Sequence, residues 1–477
     1  MENEKVIVAI EFGSSKIAGM AGVQAPDGGL KVLSYHEQPS SQFIHHGIVY
    51  NVTRTAEAIE NIRTKIENDL DAAITQVYVA SGGRSLRSVA AQASRDINDG
   101  SLVSLELIDE MVDEMGLVNQ EGEYATVAVV SSEFVADHKN QAETDPVGIA
   151  CSHLDGYCQR IVIRRHYMDL LPQCFNATNL ELVDGFLVPT LTVDQVVTPE
   201  EKRQGCALVD YGADTTTLQV YKNGLLRYLR VIPLGSELIT KDLMSGLKIE
   251  HDEAERLKRT YGLYNRTGAS DTEEIVLQNS EKVRLKEVGE IIEARNEEIM
   301  VNVLAQIKAS GYMEQLFAGI VLTGGGSNLK MLANMVKEKN PGHHARVVTA
   351  PITPVYWADT YSQKTDGTCL ALLSIMKKDL DNCVEYVAAE EPEQVEIAFS
   401  EEPKMVQGNL FTDEGESAQE EKDRKKKEQQ EEKRRKAYEE KLRKKAEKAA
   451  REAQKPKRES MFKVLLGKLN SFVDEVQ

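Results

Sequence analysis

The chain has 477 residues, 41% of them hydrophobic, with a formal net charge of −19 and a sequence pI near 5.1. That length predicts two or more globular units with real cores, and the acidity argues against general nucleic-acid binding, which needs clustered Lys and Arg against phosphate. The six scattered cysteines (Cys151, Cys158, Cys174, Cys206, Cys369, Cys383) lack zinc-site spacing and disulfide density and read as reduced cytosolic thiols, and no apolar run is long enough to span a bilayer.

In chain order, the first strong signal is "KVIVAIEFGSSKIAGMAG" at residues 5–22, an apolar strand, a Gly-Ser turn and a second apolar strand. In the segment from Arg84 to Arg165, "SLELIDEMVDEMGLV" reads as a helix and "ATVAVVSSEFVAD" and "QRIVIRR" read as strands, a small α+β unit. At residues 205–224, "GCALVDYGADTTTLQVYKNG" repeats the opening plan. In each copy a carboxylate ends the first strand (Glu11 or Asp210), a glycine stands two positions on (Gly13 or Gly212), and hydroxyl residues follow (Ser14 and Ser15, or Thr215 and Thr216). Two related halves are the expected result.

The chemistry suits a nucleotide clamp. Glycine lets backbone N–H groups approach anionic oxygens, and small hydroxyls add donors without bulk. A strand-end carboxylate can hold the waters of Mg²⁺. One Gly-Ser or Gly-Asp turn alone is ordinary structure; the pairing is what points to polyphosphate. A third piece, "GIVLTGGGSNLKMLANMVKE" at 319–338, carries Gly324, Gly325 and Gly326 between a strand and a helix, room for a sugar or a flat ring. No G-x-x-x-x-G-K-[ST] is present, which excludes a P-loop. The pairs His45-His46 and His343-His344 have no carboxylate or cysteine partner at ligand spacing and read as loop residues.

From about Asp381 the pattern becomes acidic and aperiodic, then turns into a Lys-, Arg- and Glu-rich spacer without an apolar seam. Beyond it, residues 459–477 place Met461, Phe462, Leu465, Leu466, Leu469, Phe472, Val473 and Val476 on one face of a helical wheel, with only Val464 among the large apolar residues off it. Such a helix could dock on a core or on a partner helix; after so long a solvated spacer, insertion into a membrane surface is the expectation.

The three glycine segments, in this order, resemble the phosphate 1, phosphate 2 and adenosine motifs of the actin, Hsp70 and sugar-kinase superfamily. Within it the chain is most similar to the bacterial FtsA family. Further support comes from "GIVYNVTRTAEAIENI" (47–62), "DPVGIACSHLDGYCQRIVI" (145–163), "VIPLGSELITKDLMSGLKIEHDEAERLKRTYG" (231–262) and "IIEARNEEI" (291–299). The resemblance implies an α/β, actin-like two-domain ATPase fold with an inserted α+β 1C subdomain, a long charged linker and a C-terminal amphipathic helix. Its implied limits are 1–83, 166–200 and 367–385 for subdomain 1A, 84–165 for 1C, 201–237 and 311–366 for 2A, 238–310 for 2B, 386–458 for the linker and 459–477 for the helix.

The resemblance also implies ATP and Mg²⁺ as cofactors. Gly13, Ser14, Ser15 and Lys16 would meet phosphates from one side, Gly212, Thr215 and Thr216 from the other, with Glu11 and Asp210 as metal residues. Gly324, Gly325 and Gly326 would face the nucleoside, and Glu255 and Lys258 the ribose or base, although as a bare pattern, without the resemblance, those two read first as a solvated i, i+3 ion pair. Arg295 with Glu298 has only that plain reading. Implied partners are the tail of the tubulin-like FtsZ on subdomain 2B, further copies of the chain in a filament, other divisome proteins on 1C, and lipid, at the cytoplasmic face of the inner membrane at the division site. Hydrolysis is expected to be slow at most. Two departures from the family pattern stand out: Glu11 replaces a shorter aspartate, and Ala213-Asp214 follow Gly212 where two more glycines are usual. Asp214 therefore sets an acidic side chain beside the phosphate path, in need of a metal or Lys16. A small-molecule phosphotransferase of the same superfamily and a pilus-assembly protein of similar fold are the alternatives.

Overall fold

The computed structural model describes residues 5–385, apart from 99–100, 118–121, 139–141, 179, 263–272, 359–360, 362–363 and 365. The expected linker (386–458) and amphipathic helix (459–477), including the apolar face from Met461 to Val476, lie outside the described residues.

The first half is built on a six-stranded sheet in the order Glu181–Leu187, Gln76–Ser81, Ile7–Phe12, Lys16–Gln24, Leu30–Pro39, Val355–Trp357. Strand Ile7–Phe12 is buried along its whole length, as its unbroken apolar run demands of a strand covered on both faces. Helix Val52–Leu70 covers one face. It starts where Asn51 caps it, Oδ1 accepting from the Arg54 N–H at 3.0 Å, and it buries Ile59, Ile62 and Ile66 at helical spacing. Helix Gly367–Met376, apolar all round, fills the other face. The glycines of strand Lys16–Gln24 set both contacts. A Cβ on Gly19 would meet Ile62 and Ile66, and one on Gly22 would meet the Met376 sulfur at 2.8 Å, so each helix lies nearly on the strand backbone. Each fully buried Ile adds about 1.5–3 kcal/mol.

The second half repeats the plan. Strands Ala345–Val347, Gly319–Thr323, Cys206–Tyr211, Thr216–Lys222 and Leu225–Ile232 lie side by side in that order. The long helix Leu285–Ala309 packs its later turns (Ile299, Met300, Val303, Ile307) on this sheet, while its earlier turns (Leu285, Val288, Ile292) form a separate core with Ile239, Leu243, Ala254 and Leu257 of helices Glu237–Leu247 and His251–Tyr261.

The inserted segment contributes the helix and the two strands read from sequence, as Leu105–Leu117, Tyr124–Ala136 and His153–Arg164, and a third strand, Arg87–Asp96. These three strands do not form a closed sheet of their own. Arg87 pairs with Arg230, so the insertion continues the second half's sheet to eight strands. The Leu229 N–H also donates to Ser88 Oγ at 2.8 Å, and Arg227 holds Glu133 through two bonds of 2.5 and 3.0 Å. No helix among the described residues is long and apolar enough to cross a membrane.

Candidate functional site: two facing turns and three carboxylates

Each half presents one tight turn, and the two turns have the same closure. The Gly13 N–H donates to the Lys16 carbonyl at 3.1 Å, and the Gly212 N–H to the Thr215 carbonyl at 2.9 Å. The strands feeding them are in equivalent register, Glu11 opposite Ala18 and Asp210 opposite Thr217. Ser40 braces the first turn from outside, its Oγ donating to the Gly13 carbonyl at 2.6 Å. Ser14 is half-buried and Ser15 exposed, so the two serines have different access to the cleft. On the second turn, Thr215 is half-buried, whereas Thr216 is fully buried and its hydroxyl donates to the Leu234 carbonyl at 2.8 Å.

The glycine run at 324–326 divides its labour. Gly324 has φ +88, in the region that favours glycine, and its Cα lies against Asp210. A Cβ on Gly326 would fall 2.7 Å from the ring of Tyr211, whose hydroxyl donates to Asn296 Oδ1 at 3.0 Å. Beside Gly325 there is open space, so of the three it is the one with room for a ligand.

Three acids, Glu11, Asp210 and Asp366, gather at the start of helix Gly367–Met376. Asp366 is its N-cap, Oδ1 accepting from the Cys369 N–H at 3.0 Å. Asp210 is wedged between Gly324 and Gly367; a Cβ on Gly367 would lie 2.6 Å from Asp210 Oδ2. Burial, with Asp366 adding to it, pushes the Asp210 carboxyl up to about 6. Burial pushes Glu11 further, to about 8; a hydrogen bond from Thr368 opposes the rise, as does Lys16, while Asp366 and Asp210 add to it. Glu11 Oε2 is buried without a hydrogen-bond partner. Two carboxyls held above their ordinary range by burial and by the neighbouring Asp366, one with an orphaned oxygen, are the donor set a hard divalent cation takes, and Mg²⁺ fits it.

Lys16 pairs with two other acids. Its Nζ lies 2.9 Å from Glu37 Oε2 and 3.0 Å from Asp366 Oδ2, and Lys364 shares Glu37 at 2.7 Å. It therefore does not neutralise Asp214. Asp214 instead meets the small hairpin Ile44–His45 and Ile48–Val49: Oδ2 accepts from the His46 N–H at 3.1 Å, while the next N–H, of Gly47, donates to Ser14 Oγ at 2.8 Å. The residue read as a plain loop histidine thus meets the second turn through its backbone, and with its neighbour Gly47 bridges the two turns. Glu255 and Lys258 form an ion pair, but a sheltered one: Lys258 is buried and donates to Thr240 Oγ1 at 2.8 Å, and burial, outweighed by Lys258, Arg259 and Thr240, leaves the Glu255 carboxyl at about 2. Arg295 grips Asp242 with two bonds of 2.5 and 3.0 Å and also pairs with Glu298, tying helix Leu285–Ala309 to Glu237–Leu247. Glu37, Asp366, Thr368 and His46 are the site residues that sequence reasoning missed. Of these only Asp366 carried a local signal, an Asp-Gly-Thr start before an apolar helical run.

Two α/β halves that each open on a strand-turn-strand hairpin, with a glycine run completing the cleft, define an actin-like fold of the ATPase class. Comparison with known proteins narrows this. The family model described as "Cell division protein FtsA" matches residues 207–360. A protein of that name from Porphyromonas gingivalis is 30% identical over 335 residues, spanning 68% of each chain, and one from Neisseria meningitidis serogroup B is 29% identical over 334 residues, 68% of this chain and 79% of its own. The chain belongs to the FtsA family of cell-division proteins. Among solved structures, the PilM–PilN type IV pilus biogenesis complex superposes with a TM-score of 0.54 at 15% identity, covering 78% of this chain and 98% of that one, a likeness of fold alone.

Proposed function

We propose that the chain binds ATP with Mg²⁺ between its halves, assembles head to tail with further copies, and holds the tubulin-like FtsZ ring to the cytoplasmic face of the inner membrane at the division site. The observation that carries the nucleotide reading is the convergence of Glu11 and Asp210, from the two equivalent hairpins, on the start of one helix. In this reading the backbone of Gly13, Ser14 and Ser15 and that of Gly212 to Thr215 take the phosphates. Glu11 and Asp210 hold the metal through its waters, which supplies charge neutralisation for the polyphosphate. Gly325, Glu255 and Lys258 lie toward ribose or base, and Lys16 acts on phosphate only after leaving Glu37 or Asp366.

Attachment rests on residues 459–477. Eight apolar side chains on one face supply on the order of 10 kcal/mol gross, much of it offset by ordering the helix. A single copy then binds lipid reversibly, the basic stretch before it adds attraction to anionic headgroups, and a filament multiplies the anchors, so attachment follows assembly. The FtsZ tail would dock on the 238–310 region and other divisome proteins on the 84–165 insertion.

The test combines two measurements on the full chain. ATP binding is followed with and without Mg²⁺ for the parent and Asp210→Ala, and vesicle co-sedimentation is followed for the parent and a 459–477 deletion. The expected result is a Mg²⁺-dependent loss of affinity in the first variant and loss of pelleting in the second. Unchanged ATP affinity sinks the metal role; undiminished pelleting sinks the tether. Pull-down of an FtsZ tail peptide, lost on deletion of residues 238–310 only, checks the partner.

A further inference from the structure

Far from the cleft, at the outer end of the inserted sheet, two neighbouring strand ends bring two imidazoles and a carboxylate together. His138 stands just beyond strand Tyr124–Ala136; His153 and Asp155 lie at the start of strand His153–Arg164. His138 Nδ1 is 3.1 Å from Asp155 Oδ2, and His153 Nε2 is 3.1 Å from Asp155 Oδ1. One ligating atom from each of the three falls within 4.8 Å of the others, and the two rings lie 4.5 Å apart.

A second layer fixes this arrangement. His153 Nδ1 is 2.7 Å from Asp96 Oδ1, on the neighbouring strand Arg87–Asp96 where Asp96 pairs with His153 in register. Ser94, opposite Asp155, donates to Asp155 Oδ1 at 2.6 Å. Asp137 Oδ1 accepts the N–H groups of Ser152 (2.7 Å) and His153 (3.1 Å), and Asp137 and His138 both take left-handed φ values, +47 and +55, which turn His138 back over the strand ends. A carboxylate on the far nitrogen of an imidazole, and a hydroxyl on a ligating carboxylate, are what metal sites use to fix ligand tautomer and orientation.

We propose that His138 Nδ1, His153 Nε2 and the Asp155 carboxylate form a surface site for one divalent transition-metal ion of the Zn²⁺ class, with at least one position left for water or for a ligand from another molecule. Imidazole nitrogen and carboxylate oxygen bind Zn²⁺ at about 2.0–2.2 Å, so ligand atoms about 3–3.5 Å apart close on it with little movement. The two nitrogens favour Zn²⁺, Ni²⁺ or Cu²⁺ over Mg²⁺, which separates this site from the carboxylates of the cleft. Bound metal would clasp the ends of two neighbouring strands.

The experiment is calorimetric titration of Zn²⁺ into the untagged full chain in excess Mg²⁺, with Co²⁺ as a spectroscopic probe. One equivalent is expected to bind and to raise the melting temperature. His138→Asn and His153→Asn should each weaken that equivalent at least tenfold and together abolish it, whereas His251→Asn, whose ring meets Glu237 and Asp252 elsewhere, should leave it unchanged. Asp96→Asn should weaken it about tenfold while the Co²⁺ spectrum keeps its shape, the behaviour of a positioning residue. Because all four histidine variants change exposed or half-exposed side chains, their metal-free melting temperatures should match the parent. No Zn²⁺ binding, or an equivalent that survives the double variant, overturns the proposal and leaves the cluster as histidine–carboxylate ion pairs only.

Discussion

The backbone N–H of His46 donates to Oδ2 of Asp214 at 3.1 Å, and His46 Nδ1 lies 3.2 Å from the Asp214 carbonyl oxygen, so that nitrogen carries the ring proton. The two residues are 168 positions apart in sequence and belong to opposite halves. Asp214, which by sequence alone sets a negative charge beside phosphate, is thereby a clasp across the cleft. A hydrogen bond to a charged acceptor contributes about 1.5–3 kcal/mol. Asp214→Ala should therefore speed release of a fluorescent ATP analogue about tenfold in stopped flow. An unchanged release rate would show that this bond does not hold the halves together.

Lys16→Ala separates two roles for one cation. As an ion pair with Glu37 and Asp366, all three partly sheltered, its loss should cost about 1–3 kcal/mol and lower the melting temperature of the nucleotide-free protein by several degrees. If Lys16 served phosphate alone, the melting temperature would hold and only ATP affinity would fall.

Gly367→Ala changes a single methyl. It would stand 2.6 and 2.9 Å from the two oxygens of Asp210. Helical propensity favours alanine there by about 1 kcal/mol, against a packing clash of about 1–3 kcal/mol. Stability should change little while Mg²⁺-dependent ATP affinity drops about tenfold, because the carboxylate is displaced. Wild-type affinity in this variant would mean that the position of Asp210 is irrelevant to binding.

The cleft acids set a pH dependence. A carboxyl raised in the folded state keeps its proton there while the unfolded chain has lost it, so stability falls as pH rises between the two pKa values. For Asp210 that window runs from 3.8 to about 6, and for Glu11 from 4.5 to about 8. The melting temperature of the nucleotide-free protein should thus decline from pH 5 to 8. Glu11→Gln should flatten the part between pH 7 and 8, where Asp210 is largely ionised in both states. An equally steep decline in Glu11→Gln would contradict the buried, raised carboxyl.

Much of this was legible in the chain because the decisive signals are local. A glycine and small hydroxyls between β-branched runs announce a hairpin wherever they occur, and two such hairpins with a later glycine triplet fix the class. Asn51 marks its helix start as plainly. What could not be read was set by topology. Lys16 meets Asp366 across 350 positions, and no spacing rule links them. Likewise, Thr216 looked like a phosphate ligand by its place after the turn, yet the pleat turns its hydroxyl inward to the Leu234 carbonyl. The strand Arg87–Asp96, not read from the sequence, is half polar and exposed at alternate positions from Ala90 on, and nothing in that pattern names the sheet it joins.

That last junction has a mechanical consequence. The insertion leaves the first half by covalent chain after Ser81, yet its edge is zipped to the second half at Arg87–Arg230 and riveted by Arg227 to Glu133. It works as a crossbar bolted to two doors. Any widening of the cleft must either unzip that short seam or swing the crossbar outward, so a small change of angle near the phosphate turns is magnified at the bar's far tip.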